Sequence, residues 1–211
     1  MIFEIMNLKE RHKISTKEAY ELGKYIGRLH KLTKNFSMHR RGQDFRSFES
    51  LLRKNEWRIK KSPQRAKRVI GFIREIHSSF KIPSNQPKAV CHIEFTPEHV
   101  RFKKQKLIKV IDWDEVCRDF MINDLGTTMV AGLKNGKINF SVLKAILKGY
   151  ESQRKMTSWE KEHLFEAISF GISKFVIWGL DEDMTWNRSS VRSTEALMRL
   201  GKDRFNESLE L

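Results

Sequence analysis

Long hydrophobic runs are missing from this 211-residue chain. No stretch approaches the ~18 uncharged apolar residues that a membrane span needs, so an integral-membrane protein is not expected. The opening Met1–Met6 is apolar but short, is interrupted by Glu4 and has no basic flank before it, which is not the pattern of a secretory signal. Cysteine is scarce as well. Cys91 and Cys117 are spaced neither like metal ligands nor like a disulfide framework, so a reduced, cytoplasmic compartment is the expected location. None of the eleven glycines falls in a G-x-G-x-x-G or G-x-x-x-x-G-K loop that would cradle phosphates. Acidic residues are few, 26 Asp and Glu against 41 Lys and Arg, for a formal charge of +15. That excess favours phosphate-bearing partners, whether nucleotides, RNA or an anionic membrane, without choosing among them.

Core-forming material is ample. The chain is 39% hydrophobic, with five Trp and fourteen Phe, which argues against disorder over most of its length. Ser15-Thr16-Lys17-Glu18 has the form of a capping box. Ala19, Leu22, Ile26 and Leu29 then recur at helical spacing and predict a helix to about Lys34. Helical patterns also cover roughly Phe45–Lys61 and, after Pro63, Gln64–Phe80. The Pro- and Ser-containing run Lys81–Lys88 marks a change of texture. Three short segments of strand character follow, Ala89–Ile93, His99–Phe102 and Leu107–Ile111. Helical patterns resume from about Met121, through Phe140–Gln153, Trp159–Leu180 and Val191–Phe205. The helix through Phe165, Ile168, Phe170, Ile172, Phe175 and Val176 is apolar nearly all round, which predicts a central place in the core. The fold class expected is α+β, mostly helical, with a small β patch.

Charge is uneven. The first eighty residues hold twenty Lys and Arg against eight Asp and Glu, concentrated between Arg53 and Arg74. Along helices such a cluster reads as a solvated face or as a surface for nucleic acid or lipid headgroups.

The chemistry-bearing residues lie in the β patch. Cys91-His92-Ile93-Glu94 ends one strand and Val110-Ile111-Asp112-Trp113-Asp114 ends another. Two carboxylates on adjacent strand ends can face one cleft, one orienting or deprotonating a hydroxyl and the other holding Mg²⁺ against phosphate oxygens. The residues alone leave a second reading open, in which Asp112 caps the next segment and His92 is a hydrogen-bonded core histidine. Trp178 and Trp186 beside Asp181, Glu182 and Asp183 read either as a surface for a cationic amine or as a core Trp and a solvated turn. His12, His39, His77 and His163 show no ligand spacing.

His92-x-Glu94-x-x-x-x-His99, followed by a strand, a basic turn and Ile111-Asp112-Trp113-Asp114, resembles the Brenner-type motif of aminoglycoside phosphotransferases, choline kinases and type II homoserine kinases. The likeness extends to Leu22-Gly23-Lys24-Tyr25-Ile26-Gly27-Arg28-Leu29-His30, which is similar to an early family helix ending in Leu-His. Asn123-Asp124-Leu125-Gly126 is similar to the Asp-Leu-Gly that opens the helix after the metal aspartate. The resemblance implies the C-terminal lobe of a protein-kinase-like fold, using ATP and Mg²⁺ to phosphorylate a hydroxyl of a small molecule. It places Glu94 at the catalytic carboxylate and His92 beside it as a loop-supporting catalytic-site residue. It places Asp112 and His99 at the metal- and nucleotide-binding positions, with Asp124 bracing the loop.

Three departures carry physical consequences. Glu94 in place of Asp moves the carboxylate by more than an ångström, a displacement that can lower a rate about 100-fold. His99 in place of Asn offers Mg²⁺ an imidazole instead of a hard oxygen. Ile93 in place of Gly is expected to limit the backbone turn. The family's preceding lobe, with its phosphate-covering loop and strand lysine, has no counterpart before Ile14. The expectation is one domain over 1–211: a hinge-like segment 1–13, a basic helical region 14–80, a catalytic and metal-loop region 88–119 and C-terminal helices 120–211. The chain is then expected to be the C-terminal lobe alone, whether naturally truncated, shortened or completed by another polypeptide, and to turn over ATP poorly by itself. Aminoglycosides are the less expected acceptors, because a polycation needs a markedly acidic pocket. Two alternatives stand beside this reading: a catalytically impaired pseudokinase that keeps the fold for binding, and a basic helical domain that binds nucleic acid.

Overall fold

The structure is a computed structural model that describes residues 13–38, 50, 52–178 and 185–211. The expected segment Met1–Met6, and most of Phe45–Lys61 before Leu52, lie outside the described residues, as do Asp181, Glu182 and Asp183 and the side chains of Trp178 and Trp186.

Helix α1, Thr16–Thr33, starts where the capping box predicts. Ser15 Oγ accepts the Glu18 amide at 3.3 Å while Glu18 Oε2 accepts the Ser15 amide at 2.9 Å. Its buried face, Ala19, Leu22, Gly23, Ile26, Gly27 and His30, packs against α5, Phe140–Glu151. A methyl group at Gly23 would lie 1.9 Å from the Ile146 carbonyl oxygen, so only glycine lets the two backbones approach this closely. Helices α2 (Glu56–Lys61) and α3 (Gln64–Ser79) follow, with Pro63 at the N-cap of α3, where its missing N–H costs nothing.

The β patch consists of pairs. Strand β1 (Lys88–Cys91) runs antiparallel to β4 (Cys117–Phe120), with Lys88 opposite Phe120 and Cys91 opposite Cys117. Strands β2 (Val100–Lys103) and β3 (Lys106–Val110) form a hairpin whose turn residues, Lys104 and Gln105, both have positive φ, as a tight two-residue turn requires. The three expected strands are thus present within two residues of their predicted bounds. Two further pieces are not foreseen by local composition: β4, and the short hairpin β5–β6 (Leu133–Lys134, Lys137–Ile138) around Asn135-Gly136. Asn-Gly between short β segments is a hairpin signal that was there to be used.

Helix α4 (Met121–Met129) begins directly from β4 and packs on α7 (Leu164–Trp178). A methyl group at Gly126 would lie 2.3 Å from the Ala167 carbonyl oxygen, which gives the second motif glycine its packing reason. The predicted helix Trp159–Leu180 is divided into α6 (Ser158–Glu162) and α7 by a non-helical His163, φ −109°, ψ 16°. Val191–Phe205 is likewise two helices, α8 (Thr185–Leu200) and α9 (Lys202–Leu209), broken at Gly201 with φ +76°. Helix α7 is central, as its all-round apolarity predicts. Phe165, Ile168 and Ile172 join the cluster of α1 and α5, while Phe170, Val176 and Ile177 join that of α3. The chain is mostly helical, an α+β arrangement, and no helix among the described residues is long and apolar enough to cross a membrane.

Candidate active site

Strand β1 delivers His92, Ile93 and Glu94 into a turn. Ile93 adopts φ +70°, a region that β-branched residues rarely occupy. The replacement of Gly by Ile therefore does not prevent the turn; it loads it with strain of order 1–3 kcal/mol. A buried brace holds the turn shut. The amides of His92 and Ile93 donate to Asp124 Oδ2 and Oδ1 at 3.0 and 2.7 Å, and His30 Nε2 lies 3.0 Å from Oδ2. Behind them His30 Nδ1 meets the Tyr150 hydroxyl at 2.9 Å, and Arg154 donates both to that hydroxyl (2.8 Å) and to Glu160 (2.6 Å). With Arg154 donating into Tyr150 Oη, the hydroxyl proton can go to His30 Nδ1, which leaves Nε2–H to donate to Asp124. Burial pushes the Asp124 carboxyl up, but the hydrogen bonds from His30 and from the two amides outweigh it and hold it below the usual carboxylate range.

The Glu94 carbonyl accepts the Thr96 amide at 2.8 Å and His99 Nδ1 at 2.6 Å, closing the loop through the single turn Pro97–His99. From the other side, β3 leads into Asp112, two residues past its end, which takes φ +63°. His92 joins the two strand ends, with Nε2 3.0 Å from the Ile111 carbonyl and its ring edge-on to Trp113 at 4.7 Å. The His92 side chain is fully buried, and Nδ1 has no hydrogen-bond partner among the described residues. Burial first of all depresses its pKa.

Glu94, His99 and Asp112 come together as a result. Each offers one ligand-type atom, all within 4.8 Å of one another, and His99 Nε2 is 3.1 Å from Asp112 Oδ2. Glu94 is half-buried, and burial raises its pKa, with Asp112 and Glu115 adding to the rise and His99 and Lys174 opposing it. The two carboxylates meet the oxygen preference of Mg²⁺. The His99 ring does not, since both its nitrogens are already engaged with oxygen acceptors. A second trio, His30, Cys91 and Asp124, is equally compact but fully buried, with His30 and Asp124 committed to the brace.

Lys174 is a residue that sequence reasoning missed. It is 3% exposed and makes no ion pair or hydrogen bond among the described residues, and its charge is opposed by those of Glu94 and Asp119. A lone cation inside the apolar run Phe170–Val176 was the available signal. Burial raises the Asp119 pKa to about 6. Beside the turn lies a cavity of about 340 Å³, lined by Thr96, Pro97 and Glu98 together with Lys134, Ile172 and Phe175 among others. Among its described lining residues Glu98 is the one carboxylate and Lys134 the one ammonium.

Residues 5–162 match the model of the phosphotransferase enzyme family. The chain belongs to that family. Among curated relatives, a homoserine kinase of Sinorhizobium fredii is 32% identical over 103 residues, covering 46% of this chain and 32% of that protein. A homoserine kinase of Allorhizobium ampelinum is 24% identical over 202 residues, 94% of this chain and 63% of that protein. The chain thus spans about a third of the first relative's length and less than two thirds of the second's. Of solved structures, a choline/ethanolamine kinase family protein from Mesorhizobium loti superposes with a TM-score of 0.66 at 16% identity, covering 97% of this chain and 71% of that one. An amicoumacin kinase in complex with AMP-PNP and Ca²⁺ gives 0.59 at 15%, covering 93% and 59%. The phosphotransferase fold therefore extends past the matched residues into α7, α8 and α9.

Proposed function

We propose that this chain is the acceptor- and metal-side lobe of a small-molecule kinase, a single domain that transfers the γ-phosphoryl group of ATP to a hydroxyl. The observation that carries this reading is the convergence of Glu94 and Asp112 from separate strand ends, with carboxylate oxygens within 4.8 Å of one another. Glu94 takes the acceptor's hydroxyl proton as the new O–P bond forms and the bond to the β-phosphate oxygen breaks, with ADP leaving as the electron-pair acceptor. Asp112 is the residue that would hold Mg²⁺, with His99 orienting its carboxylate. When bound, the ion neutralises charge on the transferring phosphates. His92 and Asp124 keep the two strand ends at fixed separation.

The nucleotide-covering lobe belongs to sequence outside the described residues or to a second polypeptide. The cavity beside the turn suits the acceptor. With one carboxylate and one ammonium among its described lining residues, it favours a singly charged or zwitterionic molecule over a polycation, in keeping with the homoserine kinase relatives. Transfer from ATP·Mg²⁺ to L-homoserine, choline and kanamycin tests the reading. Glu94→Gln is expected to lower transfer by about 100-fold or more, and Asp112→Asn to abolish Mg²⁺-dependent nucleotide binding as well. Unchanged transfer and nucleotide affinity in both variants overturns it.

One observation favours a second reading, a binding module without turnover: the His99 ring bridges the Glu94 carbonyl and the Asp112 carboxylate, where a metal ligand would have to be free. On that reading His99→Asn creates Mg²⁺-dependent nucleotide affinity that the native chain lacks.

A further inference from the structure

The opposite end of the β1–β4 ladder carries a second concavity. Strand β1 runs from Lys88 towards the catalytic turn, so the Lys88–Phe120 pair marks the end farthest from Glu94 along the ladder. There a cavity of about 610 Å³ is lined by five cations, Lys31, Lys34, Lys88, Arg118 and Arg154, and by no Asp or Glu among the described residues. Arg154 is neutralised by Glu160. The other four make no ion pair among the described residues.

Contacts that leave charge uncancelled hold two of these four in place. Arg118 Nη1 lies 3.4 Å from the carbonyl oxygens of both Lys34 and Phe36, which ties it to the end of α1. Lys88 Nζ sits 4.3 Å from the centre of the Phe120 ring. The amide of Val90, two residues along β1, donates to Thr33 Oγ1 at 3.2 Å, so the wall carrying Lys31 and Lys34 is fixed to the strand carrying Lys88. Like charges assembled in a concavity repel one another, and a multiply charged anion relieves that repulsion. The rest of the +15 is partly paired off elsewhere. Lys60 bonds Glu56, Arg65 bonds Glu195, Lys144 bonds Glu210 and Lys202 bonds Glu166. The groove stands out because four of its five cations are gathered there without an acidic partner among the described residues.

We propose that this groove is an anion site for a small ligand carrying a chain of phosphates, either a nucleoside di- or triphosphate or an inorganic oligophosphate. Several cations spread over one wall match several linked negative charges better than a single carboxylate, and the planar fork of Arg118 suits phosphate oxygens. The groove's volume falls in the range of small-ligand sites, about 300–1,000 Å³. The site is separate from the ATP position proposed at Asp112 and does not depend on that reading.

Isothermal titration of the full chain at low ionic strength with EDTA present tests the inference, since chelation removes any metal bridge at Asp112. Tripolyphosphate, ADP and adenosine are the probes. Tripolyphosphate and ADP are expected to bind and adenosine is not, with affinity falling steeply as salt rises. Equal binding of the two anions assigns recognition to the phosphate chain, and tighter ADP binding adds a contact to the nucleoside. Arg118→Ala and Lys88→Ala should each weaken binding by roughly tenfold. The more exposed Lys34→Ala should weaken it less and serves as a variant with little risk to folding, while Asp112→Asn should leave it unchanged. No heat at low salt, adenosine binding as well as ADP, undiminished affinity in folded Arg118→Ala and Lys34→Ala, or binding of an oligonucleotide without response to tripolyphosphate each overturns it.

Discussion

Two histidine–carboxylate pairs flank the turn at Ile93 at nearly the same distance, His30–Asp124 at 3.0 Å and His99–Asp112 at 3.1 Å. The first has no exposed side-chain surface on either partner, whereas the second leaves 24% of His99 and 40% of Asp112 open to solvent. The same chemical couple therefore does two jobs, and burial decides which. In the interior, Asp124 satisfies two amides that have no other partner and keeps a strained isoleucine in place. At the surface, the His99–Asp112 pair is open to water, which can take the place of either partner.

The contrast can be broken most sharply at the buried pair. Asp124→Ala should destabilise the chain by about 3–5 kcal/mol in urea unfolding, since it strands the His92 and Ile93 amides and the His30 ring away from water. A loss of under about 1 kcal/mol would mean that the turn is held by something else. The same residue predicts an acid signature. Because its folded pKa lies below its ordinary 3.8, its contribution is complete above that pH and is lost as pH falls through the lower folded value. The stability gap between the native chain and Asp124→Asn should therefore be constant from neutral pH down to about 4 and close only below it.

Ile93 gives a smaller effect with a diagnostic sign. Its side chain is buried against Cys91 and Cys117, so truncation to Ala should cost about 2–4 kcal/mol. Gly at this position should be about 1 kcal/mol more stable than Ala, the reverse of the usual ranking, because only φ > 0 reverses it. Equal stability of the two would show that the left-handed backbone relaxes. Smallest of all should be Asp112→Asn, about 1 kcal/mol or less in the same unfolding measurement, as an exposed pair contributes little.

Much of this arrangement was legible in the residues. The capping box of α1, three strands and the meeting of Glu94 with Asp112 all follow from local patterns, since caps, turns and strand ends are written in a few neighbouring residues. What escaped depends on distant partners. Cys117-Arg118-Asp119-Phe120 has weak strand character and becomes β4 because β1 supplies the ladder. Lys174 is remote in sequence from Glu94 and Asp119, so the charge it shares with them shows only after α7 packs beneath the turn. The division of Trp159–Leu180 was half visible, because Thr157-Ser158-Trp159-Glu160 is a capping box that starts a short helix of its own. The functional departures were also only partly readable. Ile93 was expected to obstruct the turn, and the structure shows it tolerated, because the bonds from Asp124 are insensitive to which side chain sits between them.

The facing cysteines of the β1–β4 ladder have a practical use. Cys91 and Cys117 are opposite one another, both sealed from solvent, and burial lifts the Cys91 thiol well above its ordinary pKa. A maleimide or disulfide reagent can therefore reach Cys91 only while the two strands are parted. The labelling rate of the native chain becomes a stopwatch for how often the scaffold under the turn comes open, and a bound phosphate chain clasping Lys88 to Arg118 would slow it.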